Sequence, residues 1–292
     1  MSLTIIRISL CVCLTGLAPL AIATTLPFPS QSLPGVDIGN GLGSGYETSG
    51  IVWHSGLQKY VTVDDGGQVS SMDINGNNVT HRSLAGDLEG ITVADPNSNF
   101  VYVGKENSNS IVEYNIAGGW PIRSFGLAFW MPLSGNAGLE ALTFVSDPNH
   151  PEGGLFYAGR QADGKIYAFS LPIASSTTSE SVSFEFSFQP APGRNDLSGL
   201  HYDAAHNILY AIWDSDNYIR AMRPDGTYLQ EWHLPGTRQE GITFQGNNLV
   251  IAQDNGPDAI RYSSFPLIVP EPTSLGLCFC SLAMLAINRR RR

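Results

Sequence analysis

The sequence predicts an all-β chain, folded as a β-propeller of five four-stranded antiparallel blades. Three observations predict it: a short segment that recurs five times, strand-like runs after every copy, and no convincing helix among them. The recurring segment is ETSGIVW from Glu47, DLEGITV from Asp87, GLEALTF from Gly138, DLSGLHY from Asp196 and RQEGITF from Arg238. Measured at the fourth residue (Gly50, Gly90, Ala141, Gly199, Gly241), the copies lie 40, 51, 58 and 42 residues apart. Each interval suits one blade. A two-sheet sandwich also has many short strands, but it would not repeat one Gly-apolar signal at every interval.

The elements follow in order. Each copy opens an inner strand, and a second strand follows it: KYVTVDD, FVYVGKE, LFYAGRQ, ILYAIWD and NLVIAQD. Third strands are expected at SIVEYNI, KIYAFSL, YIRAMRP and AIRYSSF, and fourth strands at NVTHRSL, SVSFEFSF and TYLQEWHL. Turn signals such as DINGN, DPNSN, ADGK, RPDGT and QGNN separate them, because Asn, Asp and Gly tolerate the backbone angles of tight turns. The propeller then covers residues 47–267. The last blade has only three strands before the tail, so residues 24–46 are expected to supply its outer strand and close the ring. SSTTSES, from Ser175 to Ser181, reads as an extended surface loop. A degenerate sixth blade hidden in one of the two longer intervals is the alternative.

Both ends read as segments outside the ring. Residues 1–23 hold one charge (Arg7), an apolar run from Ile8 to Leu20, and Ala21-Ile22-Ala23 before Thr24. That is the layout of a secretory signal peptide cleaved between Ala23 and Thr24. All four cysteines (Cys11, Cys13, Cys278, Cys280) fall in the terminal segments, which excludes thiol, zinc-thiolate and disulfide chemistry from the exported domain. Without those ends, 11 basic side chains face 25 acidic ones, a net charge of −14. Nucleic acid is excluded as a partner for such a surface, and cations are favoured.

Propeller geometry gives the acids a place. Inner strands line the channel and second strands run antiparallel beside them, so the start of the first and the end of the second share one face. The first position carries Ser49, Glu89, Glu140, Ser198 and Glu240; the second carries Asp65, Glu106, Gln161, Asp214 and Asp254. Where the first is Ser, an acid stands two residues earlier, at Glu47 and Asp196. Nine carboxylates would then converge on one mouth and raise each other's pKa unless neutralised. An oxygen-preferring divalent cation is one remedy, and calcium tolerates such a variable donor set better than magnesium. Capping of strand ends by the same acids is the other reading.

Other constellations are weaker. Lys105, Arg160 and Arg238 are few for gripping a phosphate ester and read as partners of the surplus acids. Glu89, Glu140 or Glu240 could serve as a general base, with nothing to single one out. The six histidines form no metal motif, and His201, inside an inner strand, reads as a strand residue. No GxSxG elbow or EF-hand is present. The tryptophans Trp53, Trp120, Trp130, Trp213 and Trp232 could stack on sugars, although burial between blades is their commoner use.

Two resemblances follow from these motifs. The EGI and SGL blade starts, with SGLHYDAAHNILYAIWDSDNYIRAMRPDG as the fullest block, resemble the SdiA-regulated family of bacterial five-bladed propellers over about Glu47 to Tyr262. That resemblance implies kinship with NHL-repeat and phytase-like propellers and a bound calcium ion. Ala141 in place of glycine and Gln161 in place of an acid depart from the pattern. In residues 268–292, VPEPTS, the apolar run Leu275–Ile287 and Arg289–Arg292 resemble the PEP-CTERM sorting signal. It implies that an exosortase recognises Pro270, Glu271 and Pro272. As a helix the apolar run spans only about 20 Å of a roughly 30 Å hydrocarbon core, which suits a transient membrane anchor held by arginines on the cytoplasmic side. Together these readings imply a cell-surface or extracellular module of the envelope or exopolysaccharide matrix. The enzymatic alternative is a phytase-like phosphoric-ester or other ester hydrolase using the same ion.

Overall fold

The computed structural model describes residues 25–266. The expected signal peptide with its Ala23–Thr24 cleavage point, and the expected sorting segment with Pro270, Glu271 and Pro272, lie outside the described residues.

The chain forms five four-stranded antiparallel sheets and, apart from them, a single 3-10 turn at Asn40–Leu42 among the described residues. A short strand, β1 (Val36–Asp37), comes first. Blade 1 is β2 (Thr48–His54), β3 (Lys59–Asp64), β4 (Gln68–Met72) and β5 (Thr80–Ser83). Blade 2 is β6 (Leu88–Thr92), β7 (Phe100–Lys105), β8 (Ser110–Asn115) and β9 (Trp120–Gly126). Blade 3 is β10 (Leu139–Ser146), β11 (Gly154–Arg160), β12 (Ile166–Ser170) and β13 (Ser183–Phe188). Blade 4 is β14 (Leu197–Asp203), β15 (Ile208–Trp213), β16 (Tyr218–Met222) and β17 (Tyr228–His233). Blade 5 is β18 (Gln239–Gln245), β19 (Asn248–Gln253) and β20 (Asp258–Tyr262), with β1 as its outer strand. The architecture is five-bladed, with no sixth sheet among the described residues.

β1 pairs antiparallel with β20, Val36 opposite Arg261 and Asp37 opposite Ile260. One strand from the front of the chain and three from the back thus make one sheet, and ring closure rests on their hydrogen bonds. Phe28 packs edge-on against Tyr262 at 4.9 Å between ring centroids. Leu26 bridges in parallel to Trp232 on β17, so the first described residues hold blades 4 and 5 together.

The core is five wedges rather than one. Each hydrophobic cluster fills one interface: Phe144 and Phe156 with Tyr102 and Phe125 between blades 2 and 3, for example, and Trp213 with Leu197 and Tyr157 between blades 3 and 4. Apolar burial holds neighbouring sheets together, while the inner strands are also bonded across blades. The Thr243 hydroxyl accepts from Trp53 N at 2.9 Å, Thr92 from Phe144 N at 3.0 Å, and Thr143 from Tyr202 N at 3.0 Å.

The inner strands can approach this closely because glycine opens them. A Cβ on Gly50 would stand 2.1 Å from Glu89 O, and one on Gly90 would stand 2.4 Å from Leu142 N. Around the axis Ile51, Ile91, Leu142, Leu200 and Ile242 close the channel to a space of about 10 Å³. That is room for about one water at most. The acid face therefore has an apolar floor.

Candidate functional site

Every blade carries a register shift at the same place. The pairing of inner and second strands slips between Thr48 and Gly50, Leu88 and Ile91, Leu139 and Ala141, Leu197 and Gly199, and Gln239 and Gly241. The slips enclose Ser49, Glu89 with Gly90, Glu140, Ser198 and Glu240. A β-bulge leaves its extra residue unpaired and re-aims its side chain. Three glutamates are thereby delivered to the mouth by a distortion that the repeat builds in.

Six of the nine expected acids line one cavity of about 240 Å³ at that mouth: Asp65, Glu89, Glu106, Glu140, Glu240 and Asp254. Ser49 and Gln161 of the two expected rings also line it, Ser198 and Asp214 do not, and Asp87 and Asn136 join them. The other three acids do not line it. Asp214 accepts the Gln239 amide at 2.8 Å and Asp196 accepts the Ser215 amide at 2.9 Å. Both act as strand-end caps, while Glu47 stands exposed behind Asp65 and Asp254.

Asp87 escaped the sequence reading, although its signal was present. It lies two residues before Glu89, the offset already noted for Glu47 and Asp196. One carboxylate oxygen from each of Asp87, Glu89 and Glu106 lies within 4.8 Å of the other two. Asn136 sits on the loop before β10 and had no sequence signal.

The electrostatics are those of acids kept from water and crowded together. Burial pushes Glu89 well above the usual carboxylate range, and Glu140 and Glu240 push the same way. Glu140 is likewise raised well above it by burial and by its hydrogen bond to Glu106. Burial also raises Glu106, whose Oε1 accepts the Gly138 amide at 3.1 Å. Glu240 is pushed up to about 8 by burial, then by Asp214, Asp196 and Asp254, with Arg238 opposing.

Among the described residues no lysine or arginine lines this cavity. Arg160 pairs with Asp163 at 3.0 Å, and Arg238 donates to the Asp254 backbone carbonyl at 3.1 Å. His201 is packed against Phe244, with 5.2 Å between ring centroids, and burial holds its pKa down near 4. It is a neutral strand residue outside the acid cavity.

The donor set fits a hard divalent cation. All of its charged donors are carboxylate oxygens. Glu89 and Glu140 are only 9% and 6% exposed, and among the described residues neither receives a hydrogen bond from a protein donor. Two oxygens on one calcium ion are at most about 5 Å apart, which the Asp87, Glu89 and Glu106 spacing meets. Ser49, Asn136 and Gln161 add neutral oxygens at the rim.

Comparison with known proteins agrees with this architecture. No curated protein matches the chain. Residues 149–252 match the family described as the SMP-30/gluconolactonase/LRE-like region. That stretch runs from the loop between β10 and β11 into β19, so it includes Glu240 but not Asp87, Glu89, Glu106 or Glu140. Among solved structures, the chain is similar to the crystal structure of Myxococcus xanthus glutaminyl cyclase. The TM-score is 0.54 at 11% identity, over 74% of this chain and 89% of that one. At such low identity the likeness shows the fold alone, and across blades 3 to 5 the chain is similar to SMP-30/gluconolactonase/LRE-like propellers.

Proposed function

We propose that this chain is an exported propeller that holds a divalent cation, calcium in the first instance, at its acid mouth. Its role is that of a binding or structural module of the cell envelope or exopolysaccharide matrix. One observation carries the cation: buried glutamates without protein donors, on an apolar floor, in a cavity that no basic side chain lines. Asp87, Glu89 and Glu106 would hold the ion, with Glu140 beside them and Glu240 and Asp254 across the cavity. The bound ion would supply the positive charge that lets these carboxylates stay ionised together. Export and sorting are supported by the Met1–Ala23 layout and by Pro270, Glu271 and Pro272 ahead of an apolar run and four arginines. An exosortase is the processing partner, and the C-terminal segment is a passing membrane anchor.

Calorimetric titration of residues 25–266 with calcium tests this, since the ring is closed within them. Saturable binding that raises the melting temperature and is lost in Glu89→Gln/Glu106→Gln supports the site. No heat up to millimolar calcium refutes it and leaves the acids as strand caps.

A second reading, ester hydrolysis assisted by the same ion, is favoured by the same glutamates. A carboxyl raised toward neutral pH is matched to proton transfer, and Glu89, Glu140 and Glu240 are all raised. The family description covering residues 149–252 names gluconolactonase, and a lactone is an internal ester. The lack of lysine or arginine in the lining disfavours phosphoric esters and favours neutral ones. Calcium-dependent hydrolysis of a simple lactone, lost in Glu140→Gln with calcium affinity retained, would establish this reading over the binding role.

A further inference from the structure

A second cavity lies elsewhere. It measures about 570 Å³ and opens between blades 2 and 3. Its lining includes Ala94 and Asp95 just past the end of β6, Phe144 near the end of β10, and Phe100 at the start of β7. Inner strands begin at the acid mouth, so this cavity is on the opposite face. Its volume falls in the range of about 300 to 1,000 Å³ typical of small-molecule sites.

The chain builds this cavity deliberately. The long third interval of the repeat contributes residues 171–182, which wall it. Arg123, on β9, donates through Nη1 to the carbonyls of Pro172, Ser176 and Ser179 at 3.1, 2.8 and 3.0 Å. Glu152 holds the same loop, accepting the amides of Ala174 and Ser175 at 2.7 and 3.1 Å and the Ser175 hydroxyl. Deeper in, Arg123 Nε donates to Glu113 at 2.6 Å, and the Tyr102 hydroxyl donates to the other Glu113 oxygen at 3.0 Å.

These bonds leave one donor over. Arg123 is only 6% exposed and lines the cavity, yet its Nη2 has no acceptor among the described residues. Nor is it sealed off, because it is absent from the buried nitrogens that lack a partner. Because Nη2 is within reach of solvent, an acceptor on a ligand can take it in place of water. Charge narrows the ligand further. An anion would meet Asp95, Glu113 and Glu152 against a single guanidinium. A cation would find the Glu113 and Glu152 oxygens already occupied by protein donors. The apolar walls include Phe100, Phe144, Ile122 and Ile173, with the hydroxyl residues Ser98, Ser146 and Thr177 among them.

We infer that this cavity is a second ligand site, distinct from the acid mouth, for a small neutral molecule with an apolar body and one carbonyl-type oxygen. The oxygen takes the spare Arg123 donor and the body packs between the two phenylalanines and the isoleucines.

The test uses acetophenone and benzyl acetate as probes, titrated into the isotope-labelled protein and followed by NMR. Saturable shifts at Ala94, Ile122 and Ile173 are expected, with none at Glu89 or Glu140. Ethylbenzene, which lacks the oxygen, binds about tenfold more weakly if the Arg123 donor is used. Ala94→Trp fills the cavity from a half-buried position and abolishes binding at an unchanged melting temperature. No saturation up to the probes' solubility, shifts at the acid mouth, equal binding of ethylbenzene, or full binding by a folded Ala94→Trp each overturns the inference.

Discussion

Metal-free protein should lose stability as pH rises from about 5 to about 8, and Glu240→Gln should remove part of that loss. Glu240 ordinarily titrates at 4.5 and is carried to about 8 in the fold. Between those values the folded chain binds more protons than the unfolded one, so unfolding free energy falls with rising pH. The contribution is intact below about 4.5 and fully lost above about 8. At about 1.4 kcal/mol per tenfold change, the ionised folded state is penalised by about 5 kcal/mol. Water on the cavity side screens part of this and leaves about 2 to 4 kcal/mol. For a domain of this size that corresponds to a melting-temperature difference of roughly 4 to 16 °C. The assay is a set of thermal melts of chelator-treated residues 25–266 at about pH 5, 6, 7 and 8. Wild type and Glu240→Gln should melt together near pH 5 and diverge by pH 8, with the variant higher. The variant keeps some slope, because burial and crowding also raise Glu89 and Glu140. Melting temperatures that stay level or climb through this window would refute the electrostatic account of the mouth, as would identical slopes for the two proteins.

Further outcomes follow from the packing. Gly90→Ala places a Cβ 2.4 Å from a backbone nitrogen of the next blade, so chemical denaturation should show a loss of about 2 kcal/mol or more; an unchanged midpoint would contradict the tight inner ring. Arg123→Met leaves Glu113 buried without its ion partner and should cost about 3 to 5 kcal/mol, most of which Arg123→Met/Glu113→Leu recovers. A double variant as unstable as the single one would show that the pair is not the cause. Deleting residues 25–37 removes β1 and Phe28, exposing the β20 edge; the cooperative melt should be lost, and a wild-type melt would show that the ring closes without them.

Fivefold recurrence made the ring legible in the sequence, because four blades carry a glycine, and the third an alanine, where inner strands crowd the axis. The runs that open with KYV, FVY, LFY, ILY and NLV all became second strands, since a strand buried on both faces between neighbouring blades selects a nearly continuous apolar run. β4 and β9 were harder to see. β4 is QVSSM, with little apolar signal, and β9 carries Pro121, which an outer strand tolerates because one of its edges is unpaired. Acids could be placed on one face from strand direction alone. Which of them reach the cavity could not, because that depends on the bulge inside each inner strand and on side-chain contacts across blades.

The sequence alone therefore determined the architecture, the shared face of the acids and the absence of thiol chemistry from the working domain, since these depend on local pattern and composition. Only the tertiary structure decided that Asp87 joins Glu89 and Glu106 while Asp196 and Asp214 turn to backbone amides. It alone sealed the channel with five aliphatic side chains and placed a spare Arg123 donor in a cavity on the far face. Each of those facts is a contact between residues distant in the chain, and no local pattern carries the distance between them.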